Sequence, residues 1–398
     1  MVPWEGFSDS YRDSARHGGI KSSSFFPAWW DRQIAPNQYG KPGRAASNWG
    51  DDTVEGTLSE VGLKENQGTT RPQDSVEEFA DDPTFTANKV DIENIQVPFL
   101  SVGNWGGNAL HLRGNVEAFT WAGSKLKYLR LITGRHDLPF YEHDSVEIQR
   151  SFLDAFLKGD DREGWMNPGE APPVTLAIRK GDVGFNNPEG DAKFEYRAEP
   201  LWPIERTQYA KYYLCPDGTL GMTPPSTGDT ISWKAPASLT GQSLVQFTSA
   251  PFEFETEITG HIVAHLNISL TADIPSGQND FDVFVTLRHI SNKGAEIFYT
   301  GTVGDPTPIV KGWLRASLRR IDESHRKHRS YLPRRNYLRS DVQPVVPGEI
   351  YPLDVELWPT SVVIEAGSKL VVEISSGDTQ GVGIFEHNDE TDRYVFSA

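Results

Sequence analysis

Serine and histidine are the residue types here that could carry covalent chemistry, so the first question is whether their surroundings activate any of them. A serine nucleophile on a strand-to-helix turn needs small residues two before and two after it, because that turn is strained and crowded. No Gly-x-Ser-x-Gly occurs in the chain, and the nearest stretch, GFSDS around Ser8, lacks the second glycine. Ser8 therefore reads as a polar loop serine beside Asp9. The histidines with chemistry-bearing surroundings are His136 in TGRHDLPFY, His111 in NWGGNALH and His387 in FEHND. Imidazole titrates near neutrality, so one ring nitrogen can take a proton while an acid holds the other. Asp137 adjoins His136, but neighbours along a chain seldom pair in this way. No Cys/His metal cluster, phosphate-cradling loop or dinucleotide fingerprint is present, so no metal and no cofactor are expected.

Composition narrows the classes further. A chain of 398 residues with 11 Trp, 13 Tyr and 20 Phe exceeds one ordinary core and predicts two domains. Asp and Glu total 55 against 38 Lys and Arg, a net charge of -17 that repels phosphate backbones and anionic bilayers. Nucleic acid and membrane are accordingly not expected as partners; a small molecule or peptide is. The single Cys215 allows no internal disulfide, the first residues lack a basic-then-apolar leader, and no run of about eighteen apolar residues occurs. These features predict a cytoplasmic chain. The basic island KGWLRASLRRIDESHRKHRSYLPRRNYLRS interleaves Arg, Tyr and Leu as an RNA or anion contact would, yet the excess of acids elsewhere supplies its partners. Asn267-Ile268-Ser269 matches a glycosylation acceptor but sits in a strand pattern, and is read as unmodified.

These residues need elements to position them. IQVPFLSVGNWGG reads as a buried strand feeding a tight glycine loop, NALHLRGNVEAFTWAG as a helix capped by Gly123, and KLKYLRLITG as a second strand. After the loop RHDLPFYEH, Asp144 and Glu147 have capping-box spacing, and the helix runs to Lys158 and Gly159. Strand, helix, strand, helix predicts parallel α/β architecture. Beyond about residue 170, PPVTLAIR, YAKYYLC, GHIVAHLNISL, DFDVFVTLRHI, LDVELWP and SKLVVEIS alternate between frequent turns and predict a β-sandwich or jelly roll. Residues 20 to 90, with FFPAWWDRQ, read as an irregular, partly helical excursion.

The order PWEG, YRD, HGGI, VPFLSVGNWGGNALHLRGNVEAF, FYEHDSVEIQRSFLDAFLKGDD, GWLRAS, PGE, LDVELWPTS and FEHND resembles the CocE/NonD hydrolases, relatives of cocaine esterase and X-Pro dipeptidyl-peptidase. The resemblance spans nearly the whole chain. It implies a partial α/β-hydrolase domain over 1–168 with a helical cap segment at about 15–92, and a jelly roll over 169–398. It implies hydrolysis of acyl esters, amides or X-Pro dipeptides by a Ser-His-Asp triad. His136 stands where the family places its general base, although a loop histidine capping local carbonyls is the other reading. Gly107 stands where many relatives carry the acid. Trp29, Trp30, Trp105 and Phe140 are the aromatic residues expected to line a substrate cleft. The resemblance further implies that the nucleophile elbow and oxyanion loop belong upstream of Met1 and that one more strand follows Ala398.

On that reading the chain lacks the nucleophile and is inactive by itself. Two alternatives stay open: a repurposed scaffold that binds a small molecule or catalyses a cyclisation or isomerisation, and one half of a split enzyme. A homo-oligomer or a complementing N-terminal half is the expected protein partner.

Overall fold

A computed structural model describes residues 1–34, 59–65, 77–234, 244–271, 279–389 and 392. Much of the expected cap segment, and the C-terminal run after 392, lie outside the described residues. The apolar runs on either side of the NWGG loop form strands β1 (Phe99–Asn104) and β2 (Lys127–Ile132), joined by helix α1 (Leu112–Trp121). Helix α2 (His143–Lys158) then leads to β3 (Val174–Lys180). The three strands are parallel, β1 beside β2 and β2 beside β3. Residues Met1 to Glu5 run parallel along the other side of β1: Leu100 N–H donates to Met1 O, Val102 N–H to Pro3 O and Glu5 N–H to Val102 O.

One helix end is the expected one and two are not. Helix α2 begins at His143 with Glu142 as its N-cap, so Asp144 lies inside the first turn and forms no capping box. There its charge still favours the helix N-terminus. Gly159 ends α2 at φ +74° as expected. Gly123 does not cap α1, because Ala122 already leaves the helix in an extended conformation. It is a glycine of close approach, since a Cβ there would sit 2.1 Å from the Gln96 amide and 2.3 Å from Glu93 O.

The second half is antiparallel: β5 (Leu244–Ser249), β6 (Thr256–Ile268), β7 (Asp282–Ile290), β8 (Val310–Arg315), β9 (Tyr351–Ile364) and β10 (Lys369–Ser375), preceded by β4 (Glu195–Glu199), which pairs with β3. These strands form the β-sandwich. The run YAKYYLC contributes a strand only at Tyr213–Leu214. β3 serves both halves, pairing with β2 near Val174 and running parallel to β9 at Arg179 and Lys180. One apolar core accordingly crosses the seam, joining Leu112, Leu131 and Leu176 to Val283, Leu314 and Leu353.

Two buried side chains hold that seam. Arg179, 1% exposed, donates from Nε to Ser361 O at 2.9 Å and from Nη2 to Thr360 Oγ1 at 2.6 Å, and stacks over Tyr299. Trp105 is the other. It is 1% exposed, packs against Trp202 and donates its indole N–H to Ala177 O at 2.8 Å, so it fills the core instead of lining a cleft. Among the described residues no helix is long and apolar enough to cross a membrane. Trp105→Ala should lower stability by about 3–5 kcal/mol through cavity formation, read as a shifted midpoint in urea unfolding. A shift below about 1 kcal/mol would mean that the indole is dispensable to the seam.

Candidate acid–base site

The loops that leave Met1–Glu5, β1 and β2 come together at the C-terminal ends of these parallel strands, where open α/β sheets place their ligands. Glu5 follows its strand at φ +52°, a left-handed conformation that is uncommon for a residue other than glycine. Its side chain is fully buried, and Oε2 meets His136 Nδ1 at 2.7 Å. His136 is held by its backbone N–H, which donates to Thr302 O at 2.9 Å from the antiparallel half. Asn104, the last residue of β1, donates to Gly134 O at 2.7 Å and accepts from Gly106 N–H at 2.9 Å, fixing both loops around the pair.

Nδ1 thus faces an acid, while His136 Nε2 has no protein partner among the described residues, and the side chain is 41% exposed. His136 is also the outer ring of a stack. His111 lies 5.0 Å from it at 16°, and Phe7 covers the other face of His111 at 4.6 Å. Burial drives the His111 pKa down to about 3, so this second imidazole stays neutral. The His136 pKa is raised, first by the hydrogen bond to Glu5, with burial opposing. Burial raises Glu5 as well, against the lowering effect of His136.

Glu5 was not among the residues expected at the site, and its position explains Gly107. A Cβ built on Gly107 would lie 3.8 Å from Glu5 Oε2 and 3.1 Å from Asn104 O. An acid at 107 would compete for the space that the Glu5 carboxylate already fills. The same spot is reached from the neighbouring strand.

The other candidates fall elsewhere. Asp137 is held bidentately by Arg135 at 3.0 Å. The Ser8 hydroxyl donates to Asp13, not to a base, and Asp13 also accepts the backbone N–H of Ser8 and Asp9. His387 is buried in a chain with His17 at 2.8 Å and Asp378 at 3.0 Å, beside Trp313. Phe140 packs edge-on to Trp4 at 5.4 Å. Trp29 closes the short helix Phe25–Trp29, stacked on Phe25, which in turn packs on Phe385. Trp30 follows it, half-buried. Among the described residues no three His, Cys, Asp or Glu side chains gather as a metal site requires.

A family model described as the X-Pro dipeptidyl-peptidase C-terminal non-catalytic domain matches residues 167–397. Glu5, His111 and His136 all precede that match. A Mycobacterium bovis protein described as a serine esterase is 27% identical over 272 residues, covering 62% of this chain and 38% of its own length, as is one from Mycobacterium tuberculosis. Among solved structures, a CocE/NonD family hydrolase from Staphylococcus aureus superposes with a TM-score of 0.75 at 22% identity, covering 98% of this chain and 62% of that one. An aminopeptidase from a marine sediment Thaumarchaeota archaeon gives 0.61 at 14%, covering 94% and 64%. The chain spans about two fifths of the length of the curated relatives it matches.

Glu5 and His136 each bind a proton more tightly in the folded chain than in the unfolded one. The associated stability is full below the unfolded values and is lost as pH rises through the folded ones. Urea unfolding should therefore show wild type losing stability as pH rises above about 4.3, where an unfolded Glu titrates, and further above about 6.5, where an unfolded His does, with a flatter profile for Glu5→Gln. Parallel profiles would mean that the pair is not coupled.

Proposed function

The chain belongs to the family of the X-Pro dipeptidyl-peptidase C-terminal non-catalytic domain, and from that premise we propose that its Glu5–His136 pair is the acid–base half of an acyl-hydrolase site. The observation that carries this reading is a fully buried carboxylate on Nδ1 of a histidine whose Nε2 has no partner among the described residues. In acyl transfer, Nε2 takes the proton of an attacking hydroxyl and returns it to the leaving group. Glu5 holds the ring in the tautomer with Nδ1 protonated and stabilises the imidazolium that forms. The fold, shared with a CocE/NonD hydrolase, and the serine esterase description of the mycobacterial relatives support ester or amide bonds as substrates.

No serine described here is offered to Nε2, and Ser8 is committed to Asp13. The nucleophile in this proposal comes from polypeptide outside these 398 residues, packed beyond Met1–Glu5. The backbone groups of Val2 and Trp4 turn away from β1 and meet no partner among the described residues, as an inner strand awaiting its neighbour would present them.

The purified chain should take up no fluorophosphonate and should not hydrolyse p-nitrophenyl esters. Fused behind the part of the S. aureus hydrolase that lies N-terminal to the region matched here, it should do both. His136→Asn should then cut the rate by about 10⁶-fold. Labelling of a serine within the 398 residues, or a fusion indifferent to His136, would overturn the proposal.

A further inference from the structure

The basic island noted in the sequence is almost fully accounted for. Arg315 pairs with Asp282 and Asp392, Arg320 with Asp341, Arg326 and Lys327 with Glu93, and Arg339 with Asp82. Arg319 and Arg329 donate to backbone carbonyls. Arg334 and Arg335 differ. Among the described residues the Arg334 guanidinium meets no acceptor, and its Nε is buried. Arg335, 3% exposed, gives Nε to Arg319 O and leaves Nη2 buried without a partner.

Both residues line one small cavity, together with Arg12, Arg113, Lys327, Glu117 and Glu356. The other cations there are already matched: Arg12 to Asp9, Arg113 to Asp13 and Glu356, and Lys327 to Glu93. Glu117 makes no ion pair among the described residues, and burial raises its pKa toward the neutral acid. Burial, with Arg334 and Arg113 nearby, pulls Arg12 down to about 9. The two buried N–H groups without an acceptor, Nε of Arg334 and Nη2 of Arg335, are costly, because each has lost water and gained nothing.

We propose that this cavity binds a small oxyanion, a carboxylate or a phosphate, held by the unpaired N–H groups of Arg334 and Arg335. The planar guanidinium fork matches the two oxygens of either group. The bound anion would bridge three segments that line the cavity: Tyr11–Ala15, helix α1 and the connection between β8 and β9. It is a stabilising site separate from the Glu5–His136 pair, and it stands whether or not that pair is catalytic.

The test is thermal unfolding of the intact chain in inorganic phosphate, acetate and chloride at one ionic strength. A Tm that rises with the logarithm of anion concentration marks binding to the folded state, and the phosphate and acetate arms identify the class. General salting-out acts on every variant alike, so the Arg334→Gln chain should lose the anion-specific rise and keep only the common part. Glu117→Gln, which removes the competing carboxylate, should tighten phosphate or acetate binding several-fold by calorimetry, and it carries the test if Arg334→Gln does not fold. Equal Tm values in all three salts, a rise that survives Arg334→Gln, or no tightening in Glu117→Gln would overturn the proposal.

Discussion

One apolar core shared by the α/β and antiparallel halves is the constraint on which the rest of this structure depends. β3 belongs to both sheets, and Arg179 at its end is bonded to Ser361 O and Thr360 across the seam. The backbones approach so closely that a Cβ on Gly106 would lie 2.0 Å from Thr300 O. Glycine is required there by space alone. Two residues further on, Thr302 O accepts the backbone N–H of His136. The antiparallel half, though it matches a domain described as non-catalytic, thus fixes the loop that carries the candidate base.

Within that frame, the acid–base pair is an exercise in desolvation. A carboxylate removed from water is unstable as an anion unless a donor meets it. His136 is that donor, and the hydrogen bond in turn raises its affinity for a proton. His111, stacked behind it and kept neutral by burial, adds a flat surface without adding a second charge. The left-handed backbone at Glu5 is what turns its side chain toward the β2 loop.

Much of the architecture was legible in residue order, because periodicity reports local structure. The strands Phe99–Asn104 and Lys127–Ile132 and the helix ending at Gly159 follow from apolar runs and a glycine cap. Gly123 and Asp144 misled for one reason: each has the type expected of a cap, while the contact that sets its role comes from elsewhere in the fold. Trp105 follows the same rule, since only the tertiary seam determines that an indole in a glycine loop points inward. Glu5 lies 131 residues before His136, and parallel pairing alone brings them together. The usable signal was the conjunction of a glutamate closing an apolar run and a glycine at 107 where an acid was expected.

Everything proposed for the site depends on Glu5 holding His136 through Nδ1, and ring ¹⁵N chemical shifts of the labelled chain across pH measure this most directly. Neutral His136 should carry its proton on Nδ1, with a pKa above the ordinary histidine value, and Glu5→Gln should lower that pKa. A neutral ring protonated on Nε2, or a titration unmoved by Glu5→Gln, would contradict this arrangement.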